Sequence, residues 1–194
     1  MNINKREGAI IVGNDEWIEY TNGSKVHKLA YVHSSAKLGK NTIVWMFANI
    51  CKDVVTGEGC VIGSNVYVGS GVIMGNDCRI QDKAHITDRS VLRNRVFVGP
   101  CVVSCNDKYP KVNNKDYKAE PIIFEDDCSI GAGAVLLPGI VVCKFAIVGA
   151  GSVVIKDVYS YRMAFGNPAK ICLRTDIEVP EEFKSLDKVG REVQ

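Results

Sequence analysis

Apolar residues recur at every sixth position along most of the chain. The series runs Val32, Leu38, Val44, Ile50, Thr56, Ile62, Val68, Met74, Ile80, Ile86, Leu92, Val98, Ser104, with eleven of the thirteen aliphatic or Met. It breaks there and resumes at Phe124, Ile130, Leu136, Val142, Val148 and Val154. The residue four places after each of these except Ser104 is again small or apolar, as at Ala48, Val54, Cys60, Val66, Cys78, Ala84, Cys128, Ala134 and Ala146. Glycine follows the key position at 39, 57, 63, 69, 75, 99, 131 and 149, eight of the eighteen glycines. An amphipathic helix spaces its apolar residues by three and four, and a half-buried strand alternates by two. Neither gives a six-residue period with glycine at a fixed offset.

The period predicts short strands joined by corners, with three hexads closing one triangular coil. Two positions of each hexad point inward, and one of them must stay small because the prism is narrow. Backbone groups then pair with the coils above and below, which satisfies the buried main chain without helices. Residues 18 apart stack on neighbouring coils. The hand of the coil does not follow from the period, and the usual crossover rule favours a right-handed one.

The hexads divide the chain into three parts. Residues 1–31 are off-register and predict an N-terminal β cap, with AIIVG and WIEYTNG as its strands. Residues 32–160 form the helix, interrupted by a polar, lysine-bearing loop over 105–121. A long polar loop inside a regular repeat is more often functional than merely tolerated. Residues 161–194 close the helix and end in a short α-helix within 175–194.

Composition narrows the class further. The 24 basic and 22 acidic residues nearly balance, so no field invites nucleic acid or an anionic membrane. No apolar run approaches the ~20 residues of a membrane span. The opening MNINKREGAII lacks the apolar stretch and cleavage site of a signal peptide, so a cytoplasmic location is expected. Eight cysteines include no CxxC pair, and three of them, Cys60, Cys78 and Cys128, fall at the small inward position. They read as free thiols packed as small hydrophobes.

The phrases IGSNVYVGSGVIMG and IGAGAVLLPGIVV, then AIVGAGSVVIKDV and FGNPAKI, resemble hexapeptide-repeat acyltransferases over about residues 32–174. The resemblance implies an all-β fold, a left-handed parallel β-helix, usually assembled as a homotrimer. IQDKAHITD, VFVGP and the run Ser104-Cys105-Asn106-Asp107-Lys108-Tyr109-Pro110 resemble the N-acetyltransferases of nucleotide-linked 3-amino sugars. That implies transfer of an acetyl or related acyl group from acyl-CoA to an amino sugar, in polysaccharide biosynthesis, with the loop closing over the sugar nucleotide.

Stacking arithmetic picks out a polar cluster. Asn65, Lys83 and Cys101 form one column, Ser64, Asp82 and Pro100 a second, and Tyr67, His85 and Val103 a third. His85 is the candidate base, since a group that accepts a proton near neutral pH suits acyl transfer; a surface histidine between strands is the bland alternative. Asp88 is placed to orient it, with Asp82 as a further catalytic candidate. Asn65, Lys83, Asn106, Lys108 and Tyr109 are the expected substrate contacts. For coenzyme A, small residues at Ala132 and Ala150 permit close approach, and Lys156, Lys170 and Arg174 are candidates for its phosphates; the resemblance supports Ala132, Ala150, Lys156 and Arg174. A three-histidine metal site is not expected, because His27 and His33, six apart, point away from each other. The remaining alternatives are O-acylation of a sugar or serine hydroxyl and a non-catalytic β-helix assembly subunit.

Overall fold

A computed structural model describes residues 9–10 and 16–184. Nearly every hexad forms a two-residue strand, such as Ile43–Val44, Asn49–Ile50 and Val55–Thr56, whose first residue is outward and second buried; the Leu38 hexad makes only a bridge from Lys37 to Val55. Strands 18 residues apart pair in parallel, as in His85↔Tyr67 and Ile73↔Val55. Among the described residues three sheets of eleven, seven and five strands result, one per face of a triangular prism. The first face carries Ile43–Val44 and Arg79–Ile80, the second Tyr67–Val68 and His85–Ile86, and the third Ile73–Met74 and Val91–Leu92. The fold is a parallel β-helix.

The interior is the one the period requires. Ile50, Ile62, Val68, Ile80, Ile86 and Val98 are fully buried, with Val54, Cys60, Val72 and Cys78 as their small partners. The two hydroxyl exceptions are buried and satisfied. Thr56 Oγ1 accepts the Gly39 N–H at 3.0 Å and meets Thr42 Oγ1 at 3.3 Å. Ser104 Oγ accepts the Thr87 N–H at 2.8 Å and donates to the His85 carbonyl at 3.0 Å. The Ser104 bridge stands where the chain leaves the coil for the loop.

Corners need left-handed backbone, and side-chain-bearing residues supply much of it. Asn65, Lys83 and Cys101 have φ of 57°, 62° and 57°. Several corners are also pinned by a polar side chain from the next coil. Asp82 Oδ1 accepts the Ser64 N–H, Asp88 Oδ1 the Ser70 N–H and Asp126 Oδ1 the Asn94 N–H, each at 2.8 Å.

The helix extends past its expected bounds of 32 and 160. Lys25–His27 already pairs in parallel with Ile43–Val44, and Val26 and Ala30 are buried; Val26 lies one hexad before Val32. At the other end Met163 and Ala164 pair with Ile147 and Val148. Antiparallel strands complete the first sheet, Ala9–Ile10 and Trp17–Tyr20 before it and Lys170–Leu173 after it. The expected terminal helix is Glu181–Lys184; the remainder of the expected segment lies outside the described residues.

Candidate active site

The corner between the first and second faces forms one edge along the prism. Its backbone carries a file of hydrogen bonds: Phe47 N–H to Leu29 O, Asn65 to Met46, Lys83 to Ser64, Cys101 to Asp82, Gly133 to Pro100 and Gly151 to Ala132. Asn65, Asp82, Lys83, Ala132 and Ala150 therefore share this edge. The expected acceptor column and the expected cofactor column are one column. Asp82 and Ala150 are three coils apart, ~14 Å at the usual inter-strand spacing.

The edge changes character along its length. At Gly133 and Gly151 (φ +66° and +67°) an added Cβ would meet nothing within 4 Å, so the surface there is bare backbone beside exposed Ala132 and Ala150. The turn at Gly166–Lys170 sits over this stretch: Val153 N–H reaches Gly166 O at 2.9 Å, Gly166 N–H reaches Ser152 Oγ at 3.1 Å, and Lys170 pairs with Phe165. At the N-terminal end the same edge exposes Leu29, Trp45 and Phe47, with Trp45 held edge-on by Trp17 at 5.1 Å. The hexad count passes over these aromatics because they are neither inward nor polar.

Beside the middle of the edge, on the second face, His85 stacks on Tyr67 with centroids 4.6 Å apart and planes 8° from parallel. Burial pushes the His85 imidazole below its ordinary pKa, and the Asp88 carboxylate partly opposes this. Tyr67 is pushed up to about 12, chiefly by its hydrogen bond with the Cys51 side chain and then by burial. Cys51 Sγ in turn contacts Asn49 Oδ1 at 3.8 Å. Tyr67 was legible as the residue 18 before His85; its role as a ring partner was not.

Other expected site residues lie elsewhere. Asp88 is at the corner between the second and third faces, where Oδ1 already holds the Ser70 N–H. The loop roots at that same corner, closed by the Glu120 N–H to Asn106 O at 2.9 Å. Asn106, Lys108 and Tyr109 therefore rise on the opposite side of the second face from Asn65 and Lys83. Thirteen residues separate Asn106 from Glu120, enough to go roughly 20 Å out and back, about one hexad's length. Tyr109 is 73% exposed, and its N–H is held by Asp107 Oδ1.

The expected cofactor set also divides. Lys156 is exposed at the loop's corner, one face away from Ala150. Arg174 binds Asp176 through Nε and Nη2 at 3.0 and 2.6 Å and the Phe145 carbonyl through Nη1 at 2.8 Å. Phe145 belongs to the corner between the third and first faces. Ala150, Lys156 and Arg174 thus do not border one groove of a single chain, because the triangular section sends them to three different corners. His27 is buried against Trp17 and accepts the Leu29 N–H at Nδ1, while His33 meets Ser35. No cluster able to hold a metal occurs among the described residues, and all eight cysteines are free. Among the described residues no helix is long and apolar enough to cross a membrane.

Two family models match the coils. Residues 53–88 match the bacterial transferase hexapeptide (six repeats), and residues 121–156 match the hexapeptide repeat of succinyl-transferase. Both matched stretches are hexapeptide repeats. A 71-residue stretch of this protein is 41% identical to the 2,3,4,5-tetrahydropyridine-2,6-dicarboxylate N-acetyltransferase of Clostridium perfringens, covering 37% of this chain and 30% of that one. The match thus spans under a third of that relative's length. Its fold is shared with the acetyltransferase domain of PglB from Neisseria gonorrhoeae, solved with acetyl coenzyme A, at a TM-score of 0.52 and 18% identity over 78% of this chain and 58% of that one. It is shared too with a variant of AntD, an N-acyltransferase from Bacillus cereus solved with dTDP-4-amino-4,6-dideoxyglucose and coenzyme A, at a TM-score of 0.52 and 16% identity over 78% and 80% of the two chains.

Proposed function

We propose that this protein is an acyl-CoA-dependent N-acyltransferase whose acceptor is a nucleotide-linked amino sugar. One observation carries the reading. A single edge joins bare backbone at Ala132–Gly133 and Ala150–Gly151 to polar side chains at Asp82, Lys83 and Asn65, with His85 beside them. The glycine corners fit a narrow chain laid against the backbone, because nothing fills the space a Cβ would take. Lys170, at the end of the edge, is the phosphate contact nearest that stretch. The sulfur-bound acyl carbonyl supplied by coenzyme A then comes down toward Lys83 and His85.

The acceptor amine attacks that carbonyl carbon; the C–N bond forms, the C–S bond breaks, and the thiol leaves as coenzyme A. His85 takes the proton that the attacking nitrogen sheds, its lowered pKa keeping it neutral near pH 7. Asp82 already holds a corner amide, so its role is to fix that corner, and Asn65 and Lys83 orient the acceptor. The loop, with Asn106, Lys108 and Tyr109, covers the nucleotide end of the acceptor, Lys108 as a point charge on phosphate.

A homotrimer completes the reading. The third face is outwardly aliphatic, with Val55, Ile73, Val91, Ile123 and Val141 in file, and Val55, Ile73 and Ile123 are exposed in the single chain. Packing such faces would bring together the two corners that flank them, the loop's corner with Lys156 and the corner of Phe145 with Arg174, while the glycine edge is the corner opposite.

A second reading takes a small dicarboxylate as acceptor, as the name of the clostridial relative suggests. The deciding experiment incubates the protein with acetyl-CoA and a panel of nucleotide-linked amino sugars, their hydroxy counterparts and 2,3,4,5-tetrahydropyridine-2,6-dicarboxylate, scoring free thiol. Release with an amino sugar alone supports the first reading. Release with the dicarboxylate alone supports the second, and release with the hydroxy sugars makes the protein an O-acyltransferase.

A further inference from the structure

Tyr67 is the residue of the second face that the reaction described above leaves unused, and its geometry is specific. Its ring covers one side of the His85 imidazole almost in parallel, 4.6 Å between centroids and 8° between planes. Outward neighbours one coil apart on a sheet need not adopt that orientation. One coil further down, Asn49 pairs with Tyr67, and its Oδ1 meets Cys51 Sγ at 3.8 Å. From the other side, Val103 pairs with the His85 strand and brings no charge. The Ser104 hydroxyl holds the His85 carbonyl at 3.0 Å and so fixes the strand beneath the ring. The charge whose field reaches the imidazole is that of Asp88.

We infer that Tyr67 is a positioning residue for His85: the stacked phenol sets the plane of the imidazole and keeps water from one of its faces. The inference rests on the reading of His85 as the proton acceptor for its catalytic meaning, though not for its physical test. Two consequences follow. A fixed plane aims the free ring nitrogen along the face instead of letting the side chain sweep through its rotamers. A shielded face disfavours the imidazolium, so the ring stays neutral and able to accept a proton at lower pH than an open histidine would. Asp88 pulls the other way, so loss of the shield leaves its attraction dominant.

The experiment is the titration of His85 by NMR in the whole protein, alongside the pH dependence of kcat with the acceptor found by the panel. Tyr67→Ala should raise the His85 pKa, so that kcat falls by more at pH 6 than at pH 8. Tyr67→Phe keeps the stacked ring and should leave the His85 pKa close to wild type. An unchanged His85 pKa in Tyr67→Ala overturns the inference. So does a Tyr67→Phe variant as altered as Tyr67→Ala, since the hydroxyl rather than the stack would then matter. If the titration shifts as stated but His85→Ala keeps wild-type kcat, the shielding stands and the positioning role falls together with the reading of His85 as base. If His85→Ala loses activity and Tyr67→Ala changes neither pKa nor pH profile, only the positioning role falls.

Discussion

Two glycines two residues apart should respond very differently to the same added methyl. Gly131 precedes the open edge, and a Cβ there would lie 2.4 Å from the Ala150 nitrogen, 2.8 Å from the Gly149 carbonyl carbon and 2.9 Å from the Ala150 Cα. All three are backbone atoms of the next coil, so relief requires the coils to part. That strains the Gly131 N–H to Val148 O and Gly151 N–H to Ala132 O bonds, 2.7 and 2.8 Å long. Overpacking of this kind costs about 1–3 kcal/mol and a weakened buried hydrogen bond about another 1–3, so Gly131→Ala should lose roughly 3 kcal/mol or more. Gly133 has φ +66° and no atom within 4 Å of its Cβ position. Gly133→Ala therefore bears only the left-handed backbone cost, about 1–2 kcal/mol, which Asn65, Lys83 and Cys101 already bear in the same column. Equilibrium unfolding in urea measures both. Equal losses, or a larger loss at Gly133, would refute the packing of this edge.

The other expectations are direct. His85→Ala should lower kcat by about 10²–10⁴-fold with little change in KM, and remove an ionisation below the ordinary histidine range from the kcat–pH profile; wild-type kcat with the same profile would make His85 a surface residue. Because folding depresses the His85 pKa, the wild-type protein should lose stability as pH falls through the unfolded value of ~6.5, and His85→Gln should flatten that part of a stability–pH curve. Ser104→Ala strands the Thr87 N–H and removes the hydroxyl donor from the His85 carbonyl, and should cost about 1–3 kcal/mol in a urea titration. Deleting residues 111–117 should raise KM for the sugar nucleotide far more than for acetyl-CoA; equal losses would make the loop structural.

The interior was written plainly in the sequence, because a narrow prism admits one large and one small side chain per hexad and any other choice would break the coil. Val26 and Ala30 show where that legibility thinned: the register continues through them, but the neighbouring hairpin residues Trp17–Tyr20 pair antiparallel and disguise the start. The site was half legible. Stacking by 18 correctly put Asn65 above Lys83 and Tyr67 beside His85, since that arithmetic is the geometry of the coil. It did not say which of three corners a residue occupies relative to another. Asp88 and Asn106 fell one face away from Asn65 for that reason, and Lys156 and Arg174 fell on corners other than that of Ala150. Aspartates at corners also mislead, because Asp82 and Asp88 look free in the sequence and each holds a backbone amide of the preceding coil.

The edge at Ala150 is where the account is most exposed to a single measurement. Calorimetric titration with coenzyme A needs no acceptor and can compare wild type with Ala150→Phe at matched folding and assembly, checked by melting and sedimentation. The account predicts that wild type binds and that the phenyl ring, standing on the bare backbone beside Gly133 and Gly151, weakens binding by at least about tenfold, ~1.4 kcal/mol. Equal affinity in the two proteins, with fold and assembly unchanged, would contradict it and remove coenzyme A from this edge.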